Sequence, residues 1–305
     1  MVDKLKGLVA ASHTPMHPGG AVHYEMIEKQ VQLFRDNGMN GAFVCGTTGE
    51  GRLLNLEERK RVADGWLECS RGDIPVVVHV GADCMDDIQA LARHAQEQGA
   101  FAISTTAPSF FRPADVSDLV HYCAAAASAA PKIPFYFYHI PSMTHVSFPM
   151  RDFLTLAEKR IPNLAGIKFT HDDFVDLSAC VRFQEGRYNL LSGRDEILLA
   201  ALSFGADGAV GSTYNYAAPL YQALIRAFQE RKLEEARQLQ TISMELVRLI
   251  KQFNEIAAGK AIMTHIGVAC GTVRPPLKPL SEEDRQIIKN AVETGSFRPY
   301  LCQLA

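Results

Sequence analysis

A short apolar, β-branched or aromatic run, then a polar turn, then an amphipathic stretch of helical length: this unit recurs eight times along the chain and restricts its fold more than any other feature. The runs predict strands from Gly7 to Ser12, Gly41 to Gly46, Ile74 to Val80, Ala100 to Thr106, Phe135 to Ile140, Leu164 to Thr170, Tyr188 to Ser192 and Ala206 to Ser212. Helical patterns fill the gaps, from Tyr24 to Asn37, Leu56 to Ser70, Asp86 to Gln98, Val116 to Ala129, Arg151 to Lys159, Asp173 to Gln184 and Glu196 to Phe204. Gly38, Gly72, Gly99, Gly186 and Gly205 follow helices, where a left-handed stop is favoured. The strands are apolar on both faces, as parallel strands covered by helices are.

Eight such units in series predict a closed (β/α)8 TIM barrel. The main rival, an open doubly wound sheet, would carry a Gly-rich dinucleotide turn after its first strand, and the sequence has none there. The length, 305 residues, does not decide the matter, because one barrel of this type commonly uses about 250 residues. Ala218 to Glu230 reads as the last barrel helix. Beyond it, Leu233 to Ala258, Lys260 to Val268 and Glu282 to Thr294 look helical with no strands between, and a turn with Pro275, Pro276 and Pro279 separates the last two. The reading is a catalytic barrel over 1–232 and a C-terminal helical extension over 233–305.

The formal net charge is -3 with no basic cluster, which argues against nucleic acid as a partner. No run approaches the roughly 18 apolar residues of a membrane span, and Met1 to Gly7 has no signal-peptide core, so we expect no membrane partner and a cytoplasmic location. Seven cysteines without CxxC spacing fit reduced structural thiols.

In barrels of this kind the chemistry sits at the C-terminal ends of strands. Those positions here read GTTGE (Gly46 to Glu50), YHIP (Tyr138 to Pro141), GIKFT (Gly166 to Thr170), SGRDE (Ser192 to Glu196) and GSTYN (Gly211 to Asn215). Lys168 is the most informative residue among them. A lysine inside an apolar strand either snorkels to solvent or is kept as a free amine, because burial disfavours the ammonium. A free amine can attack a ketone and form an iminium that withdraws electrons from the neighbouring bond. Tyr138 supplies a phenol able to carry a proton, although within PFYFY it would otherwise read as a core aromatic. Thr47 and Thr48, in a glycine-bounded turn, offer hydroxyls and backbone N–H groups for a small carboxylate. Metal chemistry is not expected: His13 and His17 straddle Pro15 without an accompanying carboxylate, and His171, Asp172 and Asp173 are consecutive.

Together, in this order and spacing, these five motifs resemble the pyruvate-dependent class I aldolases, the family that contains N-acetylneuraminate lyase and dihydrodipicolinate synthase. The resemblance covers nearly the whole chain. It implies Lys168 as the Schiff-base lysine, Tyr138 as general acid/base, and Thr47 and Thr48 as the pyruvate-carboxylate turn, Thr47 joining the proton relay. In the lyase branch it implies a sugar tail held by Thr170, Gly193, Asp195, Glu196 and Ser212. No cofactor beyond the covalent imine is implied, and a homotetramer is.

Two features separate the branches. Synthase-like members carry an arginine at the position of Met143, and a thioether cannot hold a carboxylate in its place. They also lend a tyrosine from a neighbouring subunit, whereas the corresponding stretch here has Phe110 and Phe111. The YHIP and GSTYNY wording is nearest the N-acetylneuraminate lyases, which implies cleavage of N-acetylneuraminate to N-acetylmannosamine and pyruvate. His145, where the family usually has glycine, and Arg194 both depart from the pattern and are expected to bear on the tail pocket. Competing readings are an aldolase for 2-oxo-3-deoxygluconate or a 4-hydroxy-2-oxo acid, a dihydrodipicolinate synthase-like enzyme, and a catalytically silent barrel that only binds sugar acids.

Overall fold

The computed structural model describes residues 4–304. Met1, Val2 and Asp3, the start of the segment read above for a signal peptide, lie outside the described residues. Eight parallel strands, β1 (Gly7–Ala11), β2 (Gly41–Val44), β3 (Val76–His79), β4 (Ala102–Thr106), β5 (Phe135–His139), β6 (Leu164–Phe169), β7 (Asn189–Ser192) and β8 (Gly208–Gly211), pair in sequence order, and β8 closes on β1. This is the expected TIM barrel. Every strand lies within its predicted span.

Strand parity divides the core. Leu8, Ala10, Ile167 and Phe169 face the helices, while Val9, Phe43, Tyr136, Tyr138, Leu191 and Val210 fill the barrel interior. Lys168 lies between two outward residues and so points inward, which is the consequence of period-two alternation that matters for the site. The bottom of the barrel is plugged by Asn189, whose amide bonds both Leu5 N and Leu5 O and accepts from the Tyr136 hydroxyl at 2.9 Å.

The barrel helices are α1 (Met26–Asp36), α2 (Leu56–Ser70), α3 (Met85–Glu97), α4 (Val116–Ala127), α5 (Pro141–Thr144), α6 (Met150–Ala157), α7 (Phe174–Arg182), α8 (Leu198–Ser203) and α9 (Tyr214–Gln229). Side-chain caps start several of them: Asn55 and Glu58 form a reciprocal box at α2, and Asp115 and Asp173 cap α4 and α7. The short α5 was not anticipated. Helix α9 begins four residues earlier than the sequence suggested, because the GSTYN segment turns directly into it and Pro219 is accommodated by a kink at Ala217.

Three further helices follow, α10 (Leu233–Lys251), α11 (Glu255–His265) and α12 (Glu282–Thr294). The break between α10 and α11 is earlier than expected. Asn254 caps Ala257 N and so fixes the start of α11, while Gly259, read as a break, lies inside that helix. A β-carbon on Gly259 would meet the His13 ring, so the glycine permits close packing of α11 on the end of β1. Helix α10 lies along α9 and against the 3-10 turn Asp195–Ile197. Among the described residues no helix is long and apolar enough to cross a membrane.

Candidate active site

At the C-terminal mouth of the barrel a cavity of ≈ 380 Å³ is lined by residues from seven segments of the chain, Thr47, Thr48, Tyr138, Lys168, Thr170, Gly193, Asp195, Glu196 and Ser212 among them. All nine residues proposed from sequence thus meet in one place.

Lys168 is 4% exposed and stands directly opposite Tyr138 in the β5–β6 register. Its Nζ lies 3.9 Å from the centre of the Tyr138 ring and 4.2 Å from that of Phe43, which is aromatic packing rather than water around the amine. Burial pushes the Lys168 pKa below the ordinary lysine value, and Tyr138 and Asp195 pull it partly back up. Tyr138 Oη is 3.4 Å from Thr47 Oγ1, so phenol, threonine turn and amine form one continuous group. Phe43 and His79 hold the Tyr138 ring from the side, both edge-on, with centroids at 5.6 and 6.0 Å.

Polar groups line the opposite side of the cavity. Thr170 Oγ1 is buried without a protein partner, and a β-carbon on Gly193 would run into it, so the glycine leaves room for that hydroxyl. One carboxylate oxygen of Asp195 is already engaged, while Oδ1 is buried without a hydrogen-bond partner. Its Oδ2 accepts from Thr213 N at 3.0 Å and Thr213 Oγ1 at 2.6 Å, and its backbone oxygen accepts from Gln240 and Ser243. Burial raises its pKa, with the Thr213 bonds opposing. Glu196 Oε1 accepts from Arg194 at 3.1 Å and from Lys251 at 2.7 Å. Burial alone would raise the Glu196 pKa, but these cations outweigh it and hold the carboxyl below its usual range.

Arg194 thus lines the cavity and bonds Glu196 there. His145 does not line it. This residue is exposed and ends α5 in the left-handed region at φ 56, which explains in physical terms why glycine suits the position. Sequence reading missed Val247, Ile250, Lys251 and Glu255, which the extension contributes to the wall. Their spacing marks one face running past the end of α10, a signal present in the sequence but uninterpretable without knowing where that helix docks.

A second cavity of ≈ 280 Å³, mostly apolar and lined by His79, Cys45 and Leu277, lies on the other side of Thr47 and Met143. It holds no lysine. The histidines weighed as metal ligands disperse: His13 is buried beside Gly259, and His171 pairs with Asp172 at 3.1 Å. His17, His23 and Glu25 bring possible ligand atoms within 4.8 Å of one another outside the Lys168 cavity.

The model of the dihydrodipicolinate synthetase family matches residues 4–294. The chain belongs to that family. Among relatives, it is 41% identical over 285 residues to N-acetylneuraminate lyase of Gallus gallus, covering 92% of each chain. It is 40% identical to that of Mus musculus, covering 92% of this chain and 89% of the mouse one. Among solved structures, N-acetylneuraminate lyase (sialic acid aldolase) from Aliivibrio salmonicida superposes with TM-score 0.95 at 41% identity, over 97% of this chain and 98% of that one. The Proteus mirabilis N-acetylneuraminate lyase gives 0.94 at 40% identity, over 97% and 100%. Within the dihydrodipicolinate synthetase family, the relatives at about 40% identity thus carry the name of the lyase branch.

Proposed function

We propose that this protein is a class I aldolase that reversibly cleaves N-acetylneuraminate to N-acetylmannosamine and pyruvate through a Schiff base on Lys168. The observation that carries the reading is the buried amine of Lys168, packed against the ring of a tyrosine whose hydroxyl meets Thr47. The likeness to N-acetylneuraminate lyases along nearly the full chain supports the substrate.

In this reading the substrate carboxylate docks on Thr47 and Thr48, and the Lys168 amine attacks the C2 ketone and expels water to give an iminium. Tyr138, left as a phenolate once it has supplied through Thr47 the proton that departs with that water, takes the proton of the C4 hydroxyl. The C3–C4 bond breaks and its electron pair moves into the iminium, leaving the enamine of pyruvate and the free aldehyde sugar. Protonation at C3 and hydrolysis release pyruvate and restore the amine. The iminium is the electron sink, so the cleavage calls on no metal and no cofactor.

Thr170, Gly193, Glu196 and Ser212 receive the polyol tail. The internal bonds of Asp195 favour a different task for it, fixing the β7 and β8 loops relative to each other. Met143, at the cavity, offers no group for a second carboxylate, which favours the lyase branch over the synthase branch. We place catalysis in the barrel, 1–232, with the extension, 233–305, completing the wall. Exposed Phe110 and Phe111 support burial in a homotetramer, and seven free cysteines fit the cytoplasm. The partner is the small-molecule sugar acid, neither nucleic acid nor membrane.

A pyruvate-release assay over N-acetylneuraminate, N-glycolylneuraminate, 2-oxo-3-deoxygluconate and 4-hydroxy-2-oxo acids tests the assignment. Turnover of the nine-carbon acids is expected; release from the short acids alone would move the enzyme to another branch.

A further inference from the structure

Behind the threonine turn lies a buried charge pair that this chemistry leaves unused. Glu50 Oε1 and Lys260 Nζ are 2.5 Å apart, and neither side chain has any exposure. Glu50 closes the turn: its N–H donates to Thr47 O at 3.1 Å, and it holds a left-handed conformation at φ 53. Lys260 comes from α11 of the extension and also donates to Thr272 O at 2.6 Å. The other carboxylate oxygen of Glu50 accepts the backbone N–H of Arg274 at 2.9 Å, and the Arg274 guanidinium spans to Glu58, Leu53 O and Gly20 O. On the barrel side, Thr14 Oγ1 holds Gly49 O at 2.6 Å.

A wholly buried ion pair is a poor stabiliser, because removing both charges from water offsets most of their attraction, and a left-handed glutamate adds strain. Apolar side chains would fasten α11 to the barrel at least as well. What they would not provide is direction: a charge pair with both carboxylate oxygens occupied allows one orientation of Glu50, and Glu50 is bonded to the residue that begins the carboxylate turn.

We propose that Glu50 and Lys260 are positioning residues, a strut from the C-terminal extension that sets the Thr47–Thr48 turn to receive the carboxylate of the 2-oxo acid. The proposal rests on the reading of that turn given above. It makes the extension part of the active site from below as well as along the wall.

Trapping with borohydride at Lys168 tests it, using pyruvate and, as a ketone without a carboxylate, acetone. The variants are the double substitution Glu50→Gln/Lys260→Met, which removes both charges, and Glu50→Asp, which keeps the charge but shortens the reach. The strut predicts that the pyruvate concentration for half-maximal labelling rises at least about tenfold in every variant that folds, while labelling by acetone keeps its wild-type concentration dependence. Pyruvate labelling unchanged, or pyruvate and acetone weakened in parallel, would overturn it. Should the double variant not fold, Glu50→Asp carries the same comparison. A wild-type Lys168 that pyruvate never marks would instead sink the functional reading itself, so the two failures are distinguishable.

Discussion

Lys168 and Tyr138 are register partners on adjacent parallel strands, and the amine of one sits 3.9 Å from the ring centre of the other. Tyrosine therefore both shields the lysine from water and, through its electrostatic attraction for the ammonium, works against the loss of its proton. Replacing it separates these effects. In Tyr138→Phe the opposing influence disappears, so the Lys168 pKa is expected to fall further below the ordinary 10.5. The pH profile of imine trapping with pyruvate, which rises as the amine loses its proton, should shift its inflection to lower pH, while cleavage turnover drops by about 100-fold or more for want of the proton carrier. An inflection that moves upward would contradict the electrostatics described here.

Lys168 is also a stability liability. With its folded-state pKa lowered, the unfolded chain binds more protons, so the penalty is largest below the folded pKa and vanishes as pH rises through the unfolded value near 10.5. Lys168→Met is expected to abolish pyruvate trapping while raising folding stability at neutral pH by about 1 kcal/mol or more. Urea unfolding at two pH values checks the sign: the gap between variant and wild type should narrow at high pH.

Two other buried bases predict acid sensitivity. Burial, followed by the nearby charge of Lys260, lowers His13 to about 3, and burial, followed by His171, lowers His139 to about 3 as well. Both are neutral in the fold and protonated when unfolded between these values and 6.5. Stability is thus complete above about pH 6.5 and falls as the pH drops toward 3, by up to a few kcal/mol for each histidine. His139→Phe should flatten that decline in a series of thermal unfolding curves; an unaltered slope would show that His139 does not cause it.

The eight strands, the barrel and the gathering of nine candidate residues at one mouth were legible because each depends on short-range pattern: a buried run, a turn, and a chemical group at a strand end. Even the inward direction of Lys168 follows from its parity with Ile167 and Phe169. What the sequence hid depends on docking. Lys251, Glu255 and Lys260 belong to helices whose apolar faces reveal burial without naming the surface they bury against, and the α10–α11 break turned on Asn254 rather than Gly259. The bonds of Asp195 Oδ2 to Thr213 were hidden for the same reason, since they cross from one strand end to another.

Lys251→Met tests the contribution of the extension to specificity. It removes one of the two cations that fix Glu196 and keep it ionised. KM for N-acetylneuraminate is expected to rise about 3- to 10-fold, the loss of one partly exposed charge-assisted bond, with pyruvate trapping at Lys168 unaffected. Equal losses for sugar acid and pyruvate would place Lys251 outside the tail pocket.

Gly193→Ala puts a β-carbon onto the Thr170 hydroxyl. We expect a folding cost of about 1–3 kcal/mol, visible in thermal unfolding, and a raised KM for the sugar acid as Thr170 is displaced. Partial recovery of folding stability in Gly193→Ala/Thr170→Ala, which removes the hydroxyl that the new carbon meets, would tie the cost to that contact.

Peptide mass spectrometry after treatment of the protein with pyruvate and borohydride shows whether the buried amine becomes a covalent partner of a 2-oxo acid. A reduced pyruvyl adduct is expected on the peptide carrying Lys168 and on no other lysine. Full turnover of N-acetylneuraminate with that peptide unmodified would contradict it.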